Sequence, residues 1–207
     1  MILIKCFMSS RLIKILIALC LLCVGLGLAY LHIDRRITKF ELPQGELRWT
    51  NVRPRNVKMC IPAAFTNEKG EVTGAYRIDG VSHGNSKRMK VSLTGDTFIL
   101  SRQWQSGNGF VQLPLVYNSK PMKFRDSRRC IRRALCKGGG ETFILESNYP
   151  MTMSSFAYYC SRHCDDAVYL DMGEYGYGYI KRHGLKRPLY IWALAWSYKQ
   201  TNWLYIE

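Results

Sequence analysis

Acidic residues are scarce in this chain. Fifteen Asp and Glu face thirty Lys and Arg, for a formal net charge of +15 over 207 residues. That imbalance raises the question of an anionic partner, whether nucleic acid, anionic lipid or a phosphate-bearing substrate; the alternative is that basic residues flank a membrane segment and solubilise the surface. Several catalytic signatures are missing too. There is no Walker-type phosphate loop, no GxSxG elbow and no HExxH pair, so the usual routes to a P-loop NTPase, a serine hydrolase or a zincin are closed. Histidine is rare, with four in all, and His163 and His183 complete no zinc spacing. No internal repeat and no regular βαβ alternation is present, which excludes a solenoid and a doubly wound sheet.

What is abundant is aromatic and apolar. Thirteen tyrosines favour strands over helices. Residues Ile15 to Ile33 form a 19-residue run without a formal charge. As a helix it would extend about 28 Å, near the ~30 Å of a bilayer core. Lys5, Arg11 and Lys14 precede it, and Asp34, Arg35 and Arg36 follow. The run therefore reads as a transmembrane signal anchor over 15–33, behind a short basic segment at 1–14. The alternative is a cleaved signal peptide, but no small-x-small cleavage site follows. A polar stretch at 34–55, with Pro43, Gly45 and Pro54, reads as a tether, and a domain is expected over 56–207. This organisation implies a single-pass membrane protein whose C-terminal domain lies outside the cytoplasm.

Cys60, Cys130, Cys136, Cys160 and Cys164 fall in the expected domain, an odd number that cannot all pair internally. Cys160 and Cys164 share a face if their segment is helical. Buried thiols are the favoured reading, with one disulfide open in an oxidising compartment.

Along the domain, Lys58–Phe65 reads as a strand with Pro62 marking an edge or an end, and Glu71–Ile78 as its hairpin partner across the Asn67–Gly70 turn. Lys90–Leu100 repeats strand, Gly95-Asp96 turn, strand. Phe110–Tyr117 is a strand broken at Pro114. Arg132–Lys137 and Glu141–Glu146 flank three glycines as a further hairpin. Ser154–His163 is the best helix candidate, capped at Ser154 or Ser155. Ala167–Leu170, Tyr190–Tyr198 and Trp203–Ile206 read as strands. The expected fold class is α+β: a mixed, mainly antiparallel sheet with hairpins and few helices, preceded by one N-terminal transmembrane helix.

Three constellations point to chemistry. Lys120, Lys123, Arg125, Arg128, Arg129, Arg132, Arg133 and Lys137 form a basic run with Asp126 alone among them. Guanidinium groups bind phosphate bidentately, so Arg132 and Arg133, beside the apolar Ala134-Leu135-Cys136, are candidate phosphate ligands; on a strand only one of the two would face inward. Asp171 ends an apolar strand and opens a glycine loop, the place where a sheet delivers a polar group to a cleft. With Glu174 it forms a candidate carboxylate pair for glycoside chemistry. Tyr175, Tyr177 and Tyr179 alternate with small residues. They suit a strand that shows aromatics on one face, either packed in the fold or stacked on sugar rings.

In order, the segments MCIPAAFTNEKGEVTGAYRIDG (59–80), IRRALCKGGGETFILES (131–147) and MTMSSFAYYCSRHCDDAVYLDMGEYG (151–176) resemble the Asn-Gly-Gly-x-Phe, Arg-Thr-Ala and Leu-Asp-Gly-Gly blocks of the phosphodiester glycosidase family. The resemblance implies sugar release from a phosphodiester-linked sugar of envelope glycan or exopolysaccharide. Arg132, with Arg133, Gly173 and Tyr175, would hold substrate, and Asp171, with Glu174, would act at the anomeric carbon. Two departures stand out: Pro62-Ala63-Ala64 replaces Asn-Gly-Gly, and Met172 interrupts the Asp-Gly-Gly. The competing expectation is a membrane-tethered, non-catalytic protein that binds anionic glycan or lipid. No motif names a cofactor or a metal. Nucleic acid is the least favoured partner, because basic residues are not expected to interleave with aromatics over one surface and an exported domain rarely meets nucleic acid.

Overall fold

A computed structural model describes residues 14–25, 36–105, 107–172, 176–190 and 201–207. The chain divides into two units, Met1–Arg36 and Ile37–Glu207. In the first unit, residues 14–25 form helix α1 with exposed side chains. Among the described residues no helix is long and apolar enough to cross a membrane. This corrects the expected transmembrane helix over 15–33. Twelve described helical residues span only about 18 Å at ~1.5 Å each, and residues 26–33 lie outside the described residues.

The second unit corrects the fold class as well. Every named strand pair is antiparallel, so the expected mixed sheet is absent among the described residues. The strands are β1 (Ile37–Glu41), β2 (Leu47–Thr50), β3 (Met59–Pro62), β4 (Tyr76–Ile78), β5 (Val81–His83), β6 (Lys90–Thr94), β7 (Thr97–Ser101) and β8 (Gly109–Val111), then β9 (Pro114–Tyr117), β10 (Lys120–Pro121), β11 (Arg133–Gly138), β12 (Glu141–Ser147), β13 (Asp166–Leu170), β14 (Gly178–Arg182), β15 (Leu185–Leu189) and β16 (Trp203–Ile206). They form three sheets, in the orders β1-β12-β11-β13-β9-β10, β15-β14-β3-β16-β2 and β5-β4-β8-β6-β7. The described part of this unit holds one α-helix, α2 (Met153–Cys160). Thr152 caps it, accepting from the Ser155 N–H, in place of the expected Ser154 or Ser155.

Local chemistry explains the tight hairpins. Gly139 and Gly140 take φ of 60° and 81° between β11 and β12, the left-handed pair that a two-residue turn requires. The expected 34–55 tether is corrected: it supplies β1 and β2. Leu47 and Trp49 alternate with exposed Arg48, and Trp49 is 1% exposed. The expected hairpin between Lys58–Phe65 and Glu71–Ile78 forms only at its tip, where Thr66 bridges Val72 and the Thr73 N–H donates to the Phe65 carbonyl at 2.9 Å. Asn67 closes the turn with its side chain, but β4 joins a different sheet from β3. Pro62 does end its strand, although β3 is central in its sheet. The expected strand at Tyr190–Tyr198 falls almost wholly outside the described residues.

Two cores result. Leu135, Ile144, Val168 and Leu170 face Met59, Ile61, Leu204 and Ile206 between sheets. Ala134, Cys136, Leu145, Ala167 and Tyr169 face Phe156, Ala157 and Cys160 of α2. The six-stranded sheet is thus covered on both faces.

Candidate functional site

Alternation along β11 separates the two arginines. Arg132 falls on the Ala134 face, toward α2, and Arg133 on the Leu135 face, toward the other sheets. The expectation that only one of them faces inward is corrected, because both faces of this sheet are packed. Arg132 is 4% exposed and Arg133 fully buried.

Both guanidinium groups are engaged inside the domain. Arg132 donates from Nε to the Met151 carbonyl at 3.2 Å, and from Nη2 to the Arg128 carbonyl at 2.7 Å and Asp126 Oδ2 at 3.2 Å. Its Cζ lies 5.7 Å from the Tyr169 ring centroid. It therefore pins the loop 126–132 against the strand that follows. Asp126 answers from the other side. A hydrogen bond from the Arg128 backbone N–H and then one from Arg132 hold its carboxyl below the usual range. Arg133 donates from Nε to Glu146 Oε2 at 2.8 Å and from Nη1 to the Gly176 carbonyl at 2.8 Å. Its Nη2 also sits 2.6 Å from Glu146 Oε2, but off the line a hydrogen bond needs, and it has no other hydrogen-bond partner. Neither arginine presents a free fork to a phosphate. Of the rest of the basic run, Lys123, Arg125, Arg128 and Arg129 are exposed on the loop before β11.

Asp171 follows β13 directly. Its N–H donates to the Ala63 carbonyl at 3.0 Å, which joins the strand end to the Ala63-Ala64 segment. Arg133 pairs with Leu170, so the register continued by one residue sets Arg132 opposite Asp171, on the Tyr169 face. The Tyr169 phenol is pushed up to about 12, chiefly by burial; Arg132 opposes that shift and the Asp171 charge adds to it. Arg132, Tyr169 and Asp171 therefore gather at one end of the sheet, on its helix side, with Ala63 bonded to Asp171. Arg133 is not part of that group. Gly173, Glu174 and Tyr175 lie outside the described residues.

Two buried amides complete this end of the fold, and the sequence offered no pattern for either. Asn202, 2% exposed, accepts from the Ala64 N–H at 2.7 Å and the Trp49 indole at 3.2 Å, and donates to the Ala64 carbonyl at 3.0 Å. Gln112, also 2% exposed, donates to the Ala63 carbonyl at 3.2 Å.

The cysteines cluster without metal geometry. Cys136 sits against Cys160 and Cys164, and burial, then these two thiols, raise it well above the ordinary thiol range. All seven described cysteines are free, and no group of three or more His, Cys, Asp or Glu among the described residues could hold a metal ion.

Tyr177 and Tyr179 lie elsewhere, on a cleft of about 270 Å³ that includes Arg53, Arg55, Lys186 and Trp203. Basic and aromatic side chains far apart in sequence meet there, which corrects the expectation that they do not interleave over one surface.

No protein-family profile and no curated protein matches this sequence. Among solved structures, the zebrafish N-acetylglucosamine-1-phosphodiester alpha-N-acetylglucosaminidase catalytic domain, auto-inhibited by its pro-peptide, is similar over 84% of this chain and 73% of that one. The TM-score is 0.50 and the identity 12%. At that identity the likeness is one of fold.

Proposed function

We propose that the Ile37–Glu207 domain binds an anionic glycan bearing a sugar-phosphodiester or similar group, without turning it over. The observation that carries this reading is the engagement of both arginines. Arg132 is held by Asp126 and two carbonyls, and Arg133 by Glu146 and the Gly176 carbonyl. A glycosidase that acts on a phosphodiester needs a cation facing the phosphate; Arg132, the arginine beside Asp171, is engaged by Asp126 and two carbonyls, and Arg133 lies on the other face. Binding is supported by the +15 charge and by the fold-level likeness to a phosphodiester-directed domain. An envelope glycan or exopolysaccharide as ligand places the domain's work outside the cytoplasm.

A second reading is a divergent glycosidase with Asp171 as acid/base. The half-buried Asp171 beside a Tyr169 that stays protonated at neutral pH favours it. The purified chain, incubated with a panel of sugar-1-phosphodiesters, separates the two. Binding without released sugar is expected. Sugar release that Asp171→Asn abolishes would replace the first reading with the second. Failure to bind any member of the panel would reject both.

A further inference from the structure

The cleft that contains Tyr177 and Tyr179 lies on the outer face of the β15-β14-β3-β16-β2 sheet. Met59, Ile61, Ile180, Leu204 and Ile206 point from that sheet into the main core. Alternation turns the residues between them outward. Across the register, Tyr179 pairs with Cys60 and Cys60 with Tyr205. These three, with Val57 and Trp203, form a separate apolar cluster. Gly178 makes the arrangement possible. A Cβ there would lie 2.6 Å from Ile61 Cγ2 and 3.0 Å from the Cys60 carbonyl oxygen, so only glycine lets β14 seat against β3 at this point. With Gly178 facing inward, Tyr177 and Tyr179 flank it on the outward side.

Three cations complete the cleft: Arg53, Arg55 and Lys186. None of its lining residues is acidic, and none of the three cations enters an ion pair among the described residues. Arg53 and Arg55 flank Pro54. The ring fixes its own φ and biases Arg53 to extended backbone, so less freedom is lost when both guanidinium groups close on a ligand. Lys186 Nζ sits 4.7 Å from the Tyr179 ring centroid. Both ends of the cationic set reach the floor. Arg53 and Lys186 oppose the burial that pushes the Cys60 thiol up to about 12. Cys60 thus remains a protonated thiol, which makes the site one of binding and not of thiol chemistry.

We infer that this cleft is the glycan site: one pyranose ring stacks on Tyr177 and Tyr179, above buried Trp203, while its phosphate or carboxylate is held by Arg53, Arg55 and Lys186. The inference rests on the anionic-glycan reading above and gives it a location. Aromatic faces paired with cations also suit single-stranded nucleic acid. That ligand needs a groove continuing over about 4 or more nucleotides, whereas roughly 300 Å³ is the lower bound for small-ligand pockets and this cleft holds about 270 Å³. The volume fits one ring with its anion.

The test uses the full chain and isothermal calorimetry with four probes: N-acetylglucosamine 1-phosphate, N-acetylglucosamine, inorganic phosphate and a thymidine oligonucleotide. The sugar phosphate is expected to bind at least about 10-fold more tightly than the neutral sugar or free phosphate, since it alone uses both halves of the cleft. Arg53→Ala and Lys186→Ala change exposed side chains and are expected to leave the circular dichroism spectrum unchanged. Each is expected to weaken sugar-phosphate binding about 10-fold, with Arg53→Lys falling between. Tyr177→Ala is expected to weaken the sugar phosphate and leave free phosphate unchanged. Equal affinity for free phosphate and sugar phosphate, or tighter binding of the oligonucleotide, overturns the assignment. So does sugar-phosphate binding that none of the variants alters, which would leave the glycan reading standing with its site elsewhere. No sugar-phosphate binding by the unaltered chain would bring down both.

Discussion

Replacing Arg133 with Met tests whether this residue holds the fold or a ligand. Its guanidinium is fully buried, and Glu146, its partner on β12, is 12% exposed. Removing the cation leaves a nearly buried carboxylate without its countercharge, which typically costs about 3–5 kcal/mol. The Gly176 carbonyl loses its donor as well, roughly a further 1 kcal/mol. Glu146→Leu alone strands the guanidinium and is expected to cost a similar amount. In Arg133→Met/Glu146→Leu both charges are gone, and only the Gly176 carbonyl remains unmet. That double variant is expected to recover most of the loss, to within about 1–2 kcal/mol of the parent. Urea unfolding of the four proteins, read at constant m-value, measures the cycle. A single-variant cost under about 1 kcal/mol, or a double variant no better than the singles, would show that the pair is not the buried unit described. A phosphate-binding Arg133 would instead lose ligand affinity at unchanged stability.

Asn202→Ala strips hydrogen bonds from the Ala64 N–H, the Ala64 carbonyl and the Trp49 indole together, and is expected to cost roughly 2–4 kcal/mol in thermal unfolding. A loss below about 1 kcal/mol would mean that water replaces the amide. Alkylation of the native chain at pH 8 is expected to label half-buried Cys130 well before Cys60 and Cys136, whose thiols burial keeps protonated. Mass spectrometry reads the order, and labelling of Cys136 as fast as Cys130 would contradict the burial of that cluster.

The elements legible in the sequence were those fixed by local chemistry. Gly139-Gly140, both at positive φ, and Gly95, at φ 56°, allow two tight two-residue hairpins that glycine signals locally. What local chemistry does not fix is which strand a chain meets next. The Asn67–Gly70 turn is real, yet Tyr76 pairs in another sheet, with its ring 5.2 Å from Trp49 and stacked on His83 at 4.7 Å. The Trp49 contact is long-range and no turn signal encodes it, whereas the His83 contact crosses the local Asp79-Gly80 hairpin. The Leu47-Arg48-Trp49 alternation was visible, but four residues beside Pro43 and Gly45 gave too short a period to outweigh the reading of a tether. The arginine pair failed for a related reason. Period-two spacing shows that Arg132 and Arg133 oppose each other. It does not show that α2 covers one face and two sheets the other.

The Ala63-Ala64 segment explains why a domain of this fold would bind away from the end of β13. Where the family resemblance expects Asn-Gly-Gly, a glycine pair would leave the backbone open to close approach. Here Ala63 and Ala64 are 0% and 1% exposed. The Ala63 carbonyl already accepts from the Asp171 N–H and Gln112, and both backbone groups of Ala64 are taken by Asn202. Replacing the two alanines by glycine would remove two methyl groups and leave every one of these bonds in place. The closure belongs to Gln112 and Asn202 as much as to the alanines, and it comes from segments distant in sequence. On the binding reading, a ligand must then use a different face of the same strand. The side chain at Cys60, three residues before Ala63, opens outward onto the one place where Arg53, Arg55 and Lys186 converge.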